Sequence, residues 1–335
     1  GARKGPSIMP GGPKEVYPQL SPIFDAVAAK YKGVPCVGYL GPKSAGNYVK
    51  MVHNGIEYGM MQLTTEIYQV LAQLGGYSNE ALSEVFDRWN SGRLQSFLVE
   101  ITAKIFRQKD PFGKGELIDA ILDKAKQKGT GKWTSQNAMD LGIPVPTIDS
   151  AVTMRAISAL KEKRMEAASY YTRPQAVPVA PGELENLCEQ ALYFAFITAY
   201  AQGLHQLSEA SLEYGYDLDL ATVAKIWRAG CIIRAAALDE IAQAFEQDGD
   251  LTNLLLSDRF TAAIGGCVPA VRKLLRIAIS SGIPMPASAN SLSYFDALTT
   301  GRLPLNLIQA QRDYFGSHTY QRTDREGTFH TEWLQ

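Results

Sequence analysis

A chain of 335 residues with 46% hydrophobic and 20% charged side chains can bury large cores and divide into two or three domains. Its formal net charge of −1 supplies no global field for nucleic acid or an anionic membrane, so any anion recognition has to come from local clusters. Cys36, Cys188, Cys231 and Cys267 lie far apart with no CxxC pairing, which argues against a disulfide frame or a zinc site.

The opening GARKGPSIMPGGPKE has no apolar stretch of the kind a signal peptide carries. SIMPGG reads as a short strand or loop ending in Gly-Gly, VYPQLSPIFDAVAAKY as a helix with its apolar residues on one side, and VPCVGYLG as a buried strand closed by Gly41-Pro42. Residues 1–41 cannot bury a sheet of their own. They are expected to be the last unit of an α/β nucleotide-binding domain, with its earlier strands missing from this chain. No GxGxxG turn occurs anywhere, so the phosphate cradle of any dinucleotide is expected outside it.

After Pro42 the pattern turns helical. In KMVHNGIEY, residues Lys50, His53, Asn54, Glu57 and Tyr58 stand at offsets of a single helix face, fanning across roughly 140° at about 100° per residue. An ordinary core helix holds aliphatic residues there; this one holds an amine, an imidazole, an amide, a carboxyl and a phenol. A solvated polar face is the alternative reading. The segment runs on into the largely apolar GMMQLTTEIYQVLAQLG, which predicts burial, and an unpaired Lys or Glu survives burial only if paired or titrated.

Two further patterns recur. WNSGRLQS at 89 matches WRAGCIIR at 227, and LGIPVPTIDSA at 141 matches SGIPMPASANS at 281, offsets of 138 and 140 residues. The predicted organisation is a nucleotide-domain remnant over 1–41, a helical unit over 42–175 bearing the polar stripe, a second over 176–315, and a tail over 316–335. In the second unit the equivalent helix, ELENLCEQALYFAFITAYAQGLHQL, is apolar; its longest run, 191–201, is too short to span a bilayer and reads as a buried helix. Trp89 and Trp227 read as core anchors, and His205 and His330 as structural or solvent-facing. The polar tail, with Phe329, Trp333 and Leu334, is expected to dock on a partner. The fold class is thus mainly α, two tandem helical repeats after a fragment of a Rossmann-type domain.

Chemistry-bearing residues also gather in QKGTGKW at 127–133, at Arg155, and in QRDYFGSH at 311–318. Glycines beside lysines let backbone N–H groups approach a phosphate, although such a loop is also a common turn. Lys128 and Lys132 both fit by spacing. Arg312 and His318 could grip an anion or cap a helix.

Taken together, GARKGPSIMPGG, KMVHNGIEYG, QKGTGKWT, QRDYFGSHTY and the closing GTFHTEW closely resemble 6-phosphogluconate dehydrogenases, in that family's order. The resemblance implies NADP-dependent oxidative decarboxylation of 6-phosphogluconate to ribulose 5-phosphate and CO₂, a step of the pentose phosphate pathway, in a cytoplasmic homodimer with no metal. Lys50 then matches the general base and Glu57 the acid. His53 and Asn54 match residues contacting the sugar acid; Tyr58, Lys128, Thr130 and Arg155 match the phosphate grip, completed by Arg312 and His318 from the neighbouring subunit. Cofactor-binding residues are expected mainly in the absent part of the nucleotide domain, and the chain alone is expected not to turn over. Met60 stands where the family usually has Asp, which predicts altered local packing. The rival readings are another β-hydroxyacid dehydrogenase, for which three phosphate-binding cations would be superfluous, and a non-catalytic helical dimerisation module.

Overall fold

The computed structural model describes residues 3–333. Fourteen helices account for most of them: α1 (Tyr17–Val27), α2 (Ala45–Gly75), α3 (Asn79–Trp89), α4 (Phe97–Arg107), α5 (Leu117–Ala120), α6 (Thr130–Asp140), α7 (Pro146–Ala159), α8 (Lys161–Tyr170), α9 (Pro181–Tyr214), α10 (Leu220–Ile226), α11 (Ala237–Gln247), α12 (Asp258–Ser280), α13 (Pro286–Leu298) and α14 (Asn306–Gly316). The chain clusters into two units that divide after Leu292.

In the first unit the N-terminal piece forms little regular sheet. A two-stranded antiparallel ribbon, β1 (Lys30–Tyr31) with β2 (Val34–Pro35), is followed by a parallel bridge between Ile8 and Val37. The backbone bonds Ile8 N–H to Cys36 O, Leu40 N–H to Pro10 O and Gly12 N–H to Gly41 O keep the two segments side by side across α1. VPCVGYLG is therefore regular strand only at its start, because no third strand lies beside it among the described residues. Gly46 seats this piece on α2: a Cβ there would stand 2.0 Å from Met9 O, and one on Gly41, at φ +114°, 1.9 Å from Tyr216 O.

The long axis of the helical core is α2 against α9. Gly203 of α9 lets Ile56 in, for a Cβ would meet Ile56 at 2.5 Å, and Gly59 faces Ala199. The apolar face of α2, including Val49, Val52, Ile56, Met60, Leu63 and Ile67, is buried. So is α9 over most of its length, as its apolar sequence predicts. Gly76, in the left-handed conformation, ends α2, and Gly215 ends α9 in the same way.

The repeated motifs face one another. Ser96 pairs with Ala235 in an antiparallel bridge, Asn290 donates to Ser150 Oγ at 2.7 Å, and Thr147 and Ser291 exchange a bond at 2.8 Å. Each pair joins corresponding or nearly corresponding positions of the two repeats. Trp89 and Trp227 are both core residues. Glu66, buried on α2, takes the backbone N–H groups of Ala287 and Ser288, buried donors at the start of α13 that have no partner within their own helix. Met60 is wholly buried, which suits a thioether and would strand an unpaired carboxylate.

In the second unit α14 ends at Ser317, itself left-handed, and the tail returns as a hairpin with Tyr320 bridged to Phe329. Buried Asp313 is its hub, accepting from Thr319 N–H, His330 Nδ1, Thr331 N–H and Trp333 Nε1 at 2.8–3.0 Å. Burial works to raise the Asp313 carboxyl, but these donors outweigh it and hold it at about 2. Phe329 and Trp333 are thus half-buried within their own unit; Leu334 lies outside the described residues.

Candidate active site

The polar stripe of α2 opens beside the start of α6. Residue Gly129, at φ +101°, breaks the preceding loop, and α6 begins at Thr130 with no side chain capping its first turn. Small residues bring the two helices together. A Cβ on Gly131 would stand 2.4 Å from the Tyr58 ring, and one on Gly55 would run into Thr134. Thr134 Oγ1, in turn, donates to Met51 O at 2.9 Å. The N-terminal donors of α6 are thereby fixed next to Tyr58, an arrangement suited to an anion.

Arg155, on α7, stands over the Tyr58 ring at 4.8 Å and donates from Nη1 to Lys126 O at 2.9 Å, tying the glycine-lysine loop to the stripe. Lys128 and Lys132 are both exposed on this loop and first turn, so the fold gives neither a partner that would choose between them.

Along the stripe, Lys50 Nζ lies 3.2 Å from His53 Nδ1, and that nitrogen is also 3.0 Å from Asn54 Oδ1. His53 has no exposed surface, and burial, with the Lys50 charge adding to it, drives its pKa down to about 3. It is neutral at any working pH, and it meets the site through Nδ1 alone. The Lys50 residue is exposed near the start of α2, where the sequence predicted burial. Its ammonium nonetheless lies against the protein: burial pushes its pKa below the ordinary amine value, opposed by Glu57 and Cys231. Glu57 is half-buried, and burial pushes its carboxyl up, opposed by Lys50 and Arg155. The amine is moved toward neutral and the acid toward protonated, the directions a base and an acid require near neutral pH.

Lys50, His53, Asn54, Glu57, Tyr58, Thr130 and Arg155 therefore line one region. Arg312 and His318 are exposed at the end of α14 in the second unit, Arg312 donating to Gln309 at 3.1 Å and His318 packed edge-on to Phe315. Sequence reading missed Thr134 and Cys231, and it placed Gly131 in the loop and Trp227 in the core without linking either to the stripe. Thr134 and Gly131 were hinted at by small residues facing the stripe; Trp227 and Cys231 come from the other repeat, and only folding brings them to α2.

Residues 46–333 match the model of the 6-phosphogluconate dehydrogenase C-terminal domain, and residues 1–41 that of the family's NAD binding domain. The chain is a 6-phosphogluconate dehydrogenase family member. It is 51% identical to the NADP(+)-dependent, decarboxylating 6-phosphogluconate dehydrogenase of Bacillus subtilis (strain 168), over 100% of this chain and 72% of that one. The decarboxylating enzyme of Klebsiella pneumoniae is 50% identical over 100% and 72%. The Plasmodium falciparum 6-phosphogluconate dehydrogenase, solved in its apo form, with its cofactor NADP+ and with its substrate 6-phosphogluconate, superposes with a TM-score of 0.96 at 48% identity, covering 99% of this chain and 72% of that one. The mainly helical fold is thus the C-terminal domain of this family, preceded by a short piece of its NAD binding domain. No helix among the described residues is long and apolar enough to cross a membrane, and none of their His, Cys, Asp and Glu side chains cluster in a way that could hold a metal ion.

Proposed function

We propose that the protein carries out the NADP-dependent oxidative decarboxylation of 6-phosphogluconate to ribulose 5-phosphate and CO₂, with Lys50 as base and Glu57 as acid. The observation that carries this reading is the opposite displacement of an amine and a carboxyl on one helix face, beside Arg155, Tyr58 and the uncapped first turn of α6.

NADP+ is the oxidant when bound. Residues 1–41 contain no glycine-rich turn that would cradle its pyrophosphate, so the steps below concern only groups of this chain. Neutral Lys50 takes the C3 hydroxyl proton as that carbon is oxidised to a ketone. The resulting β-keto acid loses CO₂, and protonated Glu57 delivers a proton to C1 of the enediol. Lys128, Thr130, Tyr58 and Arg155 hold the phosphate, whose binding energy positions C3; Asn54, with His53 behind it, meets the sugar acid.

The functional unit is a homodimer, in which residues 316–335 dock on the second copy and Arg312 with His318 complete the neighbouring phosphate grip. Exposed Leu305, Leu307, Ile308 and Phe315 on and beside α14 supply the apolar surface such docking needs. Residues 1–41, 42–175 and 176–315 are taken as the nucleotide-domain piece and the two helical repeats, and the cytoplasm as the compartment. The test is Lys50→Met and Glu57→Gln in the whole protein containing this sequence, with NADPH formation followed by absorbance. Lys50→Met should abolish turnover, and Glu57→Gln should lower it by about 10²- to 10⁴-fold. Near-normal rates in Lys50→Met would overturn the assignment.

A further inference from the structure

The His53 ring has no exposed surface, and its two nitrogens are treated very differently. Nδ1 lies within reach of both Lys50 Nζ and Asn54 Oδ1, whereas Nε2 has no hydrogen-bond partner among the described residues. The ring itself packs against Trp227, just past α10 in the second repeat. The two rings meet edge to face, centroids 5.6 Å apart and planes at 75°. The indole N–H of Trp227 is also without a partner, and its backbone carbonyl accepts the Cys231 thiol at 3.1 Å. No hydrogen bond therefore joins the indole to the imidazole, and what links them is the contact of the rings.

A neutral imidazole owns one N–H and one lone pair, so Nδ1 cannot accept from Lys50 and donate to Asn54 at once. With the proton on Nε2, the Nδ1 lone pair receives an N–H of the Lys50 ammonium and the Asn54 oxygen is left for a substrate hydroxyl. With the proton on Nδ1, Asn54 is engaged and the ammonium confronts another donor. We infer that Trp227 is a positioning residue that selects between these states: its π face receives the Nε2–H of His53 and so turns the Nδ1 lone pair toward Lys50. The second repeat, which carries none of the stripe's polar groups, would in this way set the proton affinity of the base on the first. The consequence for catalysis rests on Lys50 being the base; the tautomer itself does not.

The charged and titratable groups that act on the Lys50 ammonium are Glu57 and Cys231, both of which favour its charged form, with His53 alongside. Loss of the acceptor at Nδ1 removes one stabiliser of that form and makes Lys50 a weaker holder of its proton.

The experiment is nitrogen-15 histidine NMR of the chain, unmodified and as Trp227→Phe and Trp227→Leu, together with the pH dependence of kcat/KM in the whole protein. The unmodified chain and Trp227→Phe should carry His53 as the Nε2–H tautomer. Trp227→Leu should populate the Nδ1–H form and move the acid limb of the profile down by about half to one pH unit, a three- to tenfold loss of proton affinity. A purely structural role for Trp227 would lower stability and leave the limb where it is. An Nδ1–H tautomer in the unmodified chain, or an unchanged tautomer in folded Trp227→Leu, overturns the inference. Should Trp227→Leu fail to fold, the unmodified chain and Trp227→Phe decide it. An Nε2–H tautomer in the chain together with no turnover of 6-phosphogluconate by the whole protein would refute the proposed function and leave this inference standing.

Discussion

Replacing Arg155 with Ala separates phosphate recognition from proton chemistry, because that guanidinium reaches three things at once. It stacks on Tyr58, holds the loop through Lys126 O, and acts on Glu57 from a distance. A charge-assisted hydrogen bond to a phosphate contributes about 1.5–3 kcal/mol net, so its loss alone weakens binding roughly 10- to 150-fold. Loosening of the Lys126 carbonyl and of the Tyr58 ring adds roughly 1 kcal/mol more, or another factor of about five. Calorimetric titration with 6-phosphogluconate should register this loss, while the affinity for unphosphorylated gluconate should change by less than about threefold. The Glu57 carboxyl should respond as well. Arg155 opposes the upward push of burial, so its removal raises that pKa further, and the proton on Glu57 should persist to higher pH in the variant. Equal losses for 6-phosphogluconate and gluconate would refute the assignment of Arg155 to the phosphate, and so would an unchanged affinity for both.

Three further outcomes can be checked. His53 has an ordinary value of 6.5 and a folded value of about 3, so between these pH values the unfolded chain takes up a proton that the native chain refuses. Stability conferred by the neutral ring is complete above 6.5 and should drain away toward pH 3, on the order of 5 kcal/mol in all; urea denaturation at stepped pH should show a slope that His53→Gln flattens, and an identical slope in the variant would contradict it. Gly131→Ala puts a Cβ 2.4 Å from the Tyr58 ring, an overpacking of about 1–3 kcal/mol only partly offset by better helix propensity, so the melting temperature and 6-phosphogluconate affinity should fall together. Unaltered affinity would mean that Tyr58 and the first turn of α6 are not part of the grip. Asp313→Asn turns one of the two oxygens that between them accept four donors into an amide that itself donates, which leaves two donors without an acceptor, and limited proteolysis should then cut the tail after Tyr320 faster than in the parent; equal protection would disprove the hub.

The amino-acid order by itself determined the helical character, the tandem repeat and the face on which an amine, an imidazole, an amide, a carboxyl and a phenol stand together. These are local properties: helical periodicity fixes the direction of Lys50 relative to Glu57 whatever surrounds them. Motif spacing carried the family as well, since the stripe, the glycine-lysine loop and the tail keep their order along the chain. Tertiary structure decided the rest. Burial that silences His53, desolvation that shifts Lys50 down and Glu57 up, and the contact of Gly131 with Tyr58 all depend on elements from 73 to 181 residues away in the chain, and no local pattern encodes which tryptophan will arrive. A pKa is a property of the surrounding dielectric and charge, and those exist only after the two repeats have closed on one another.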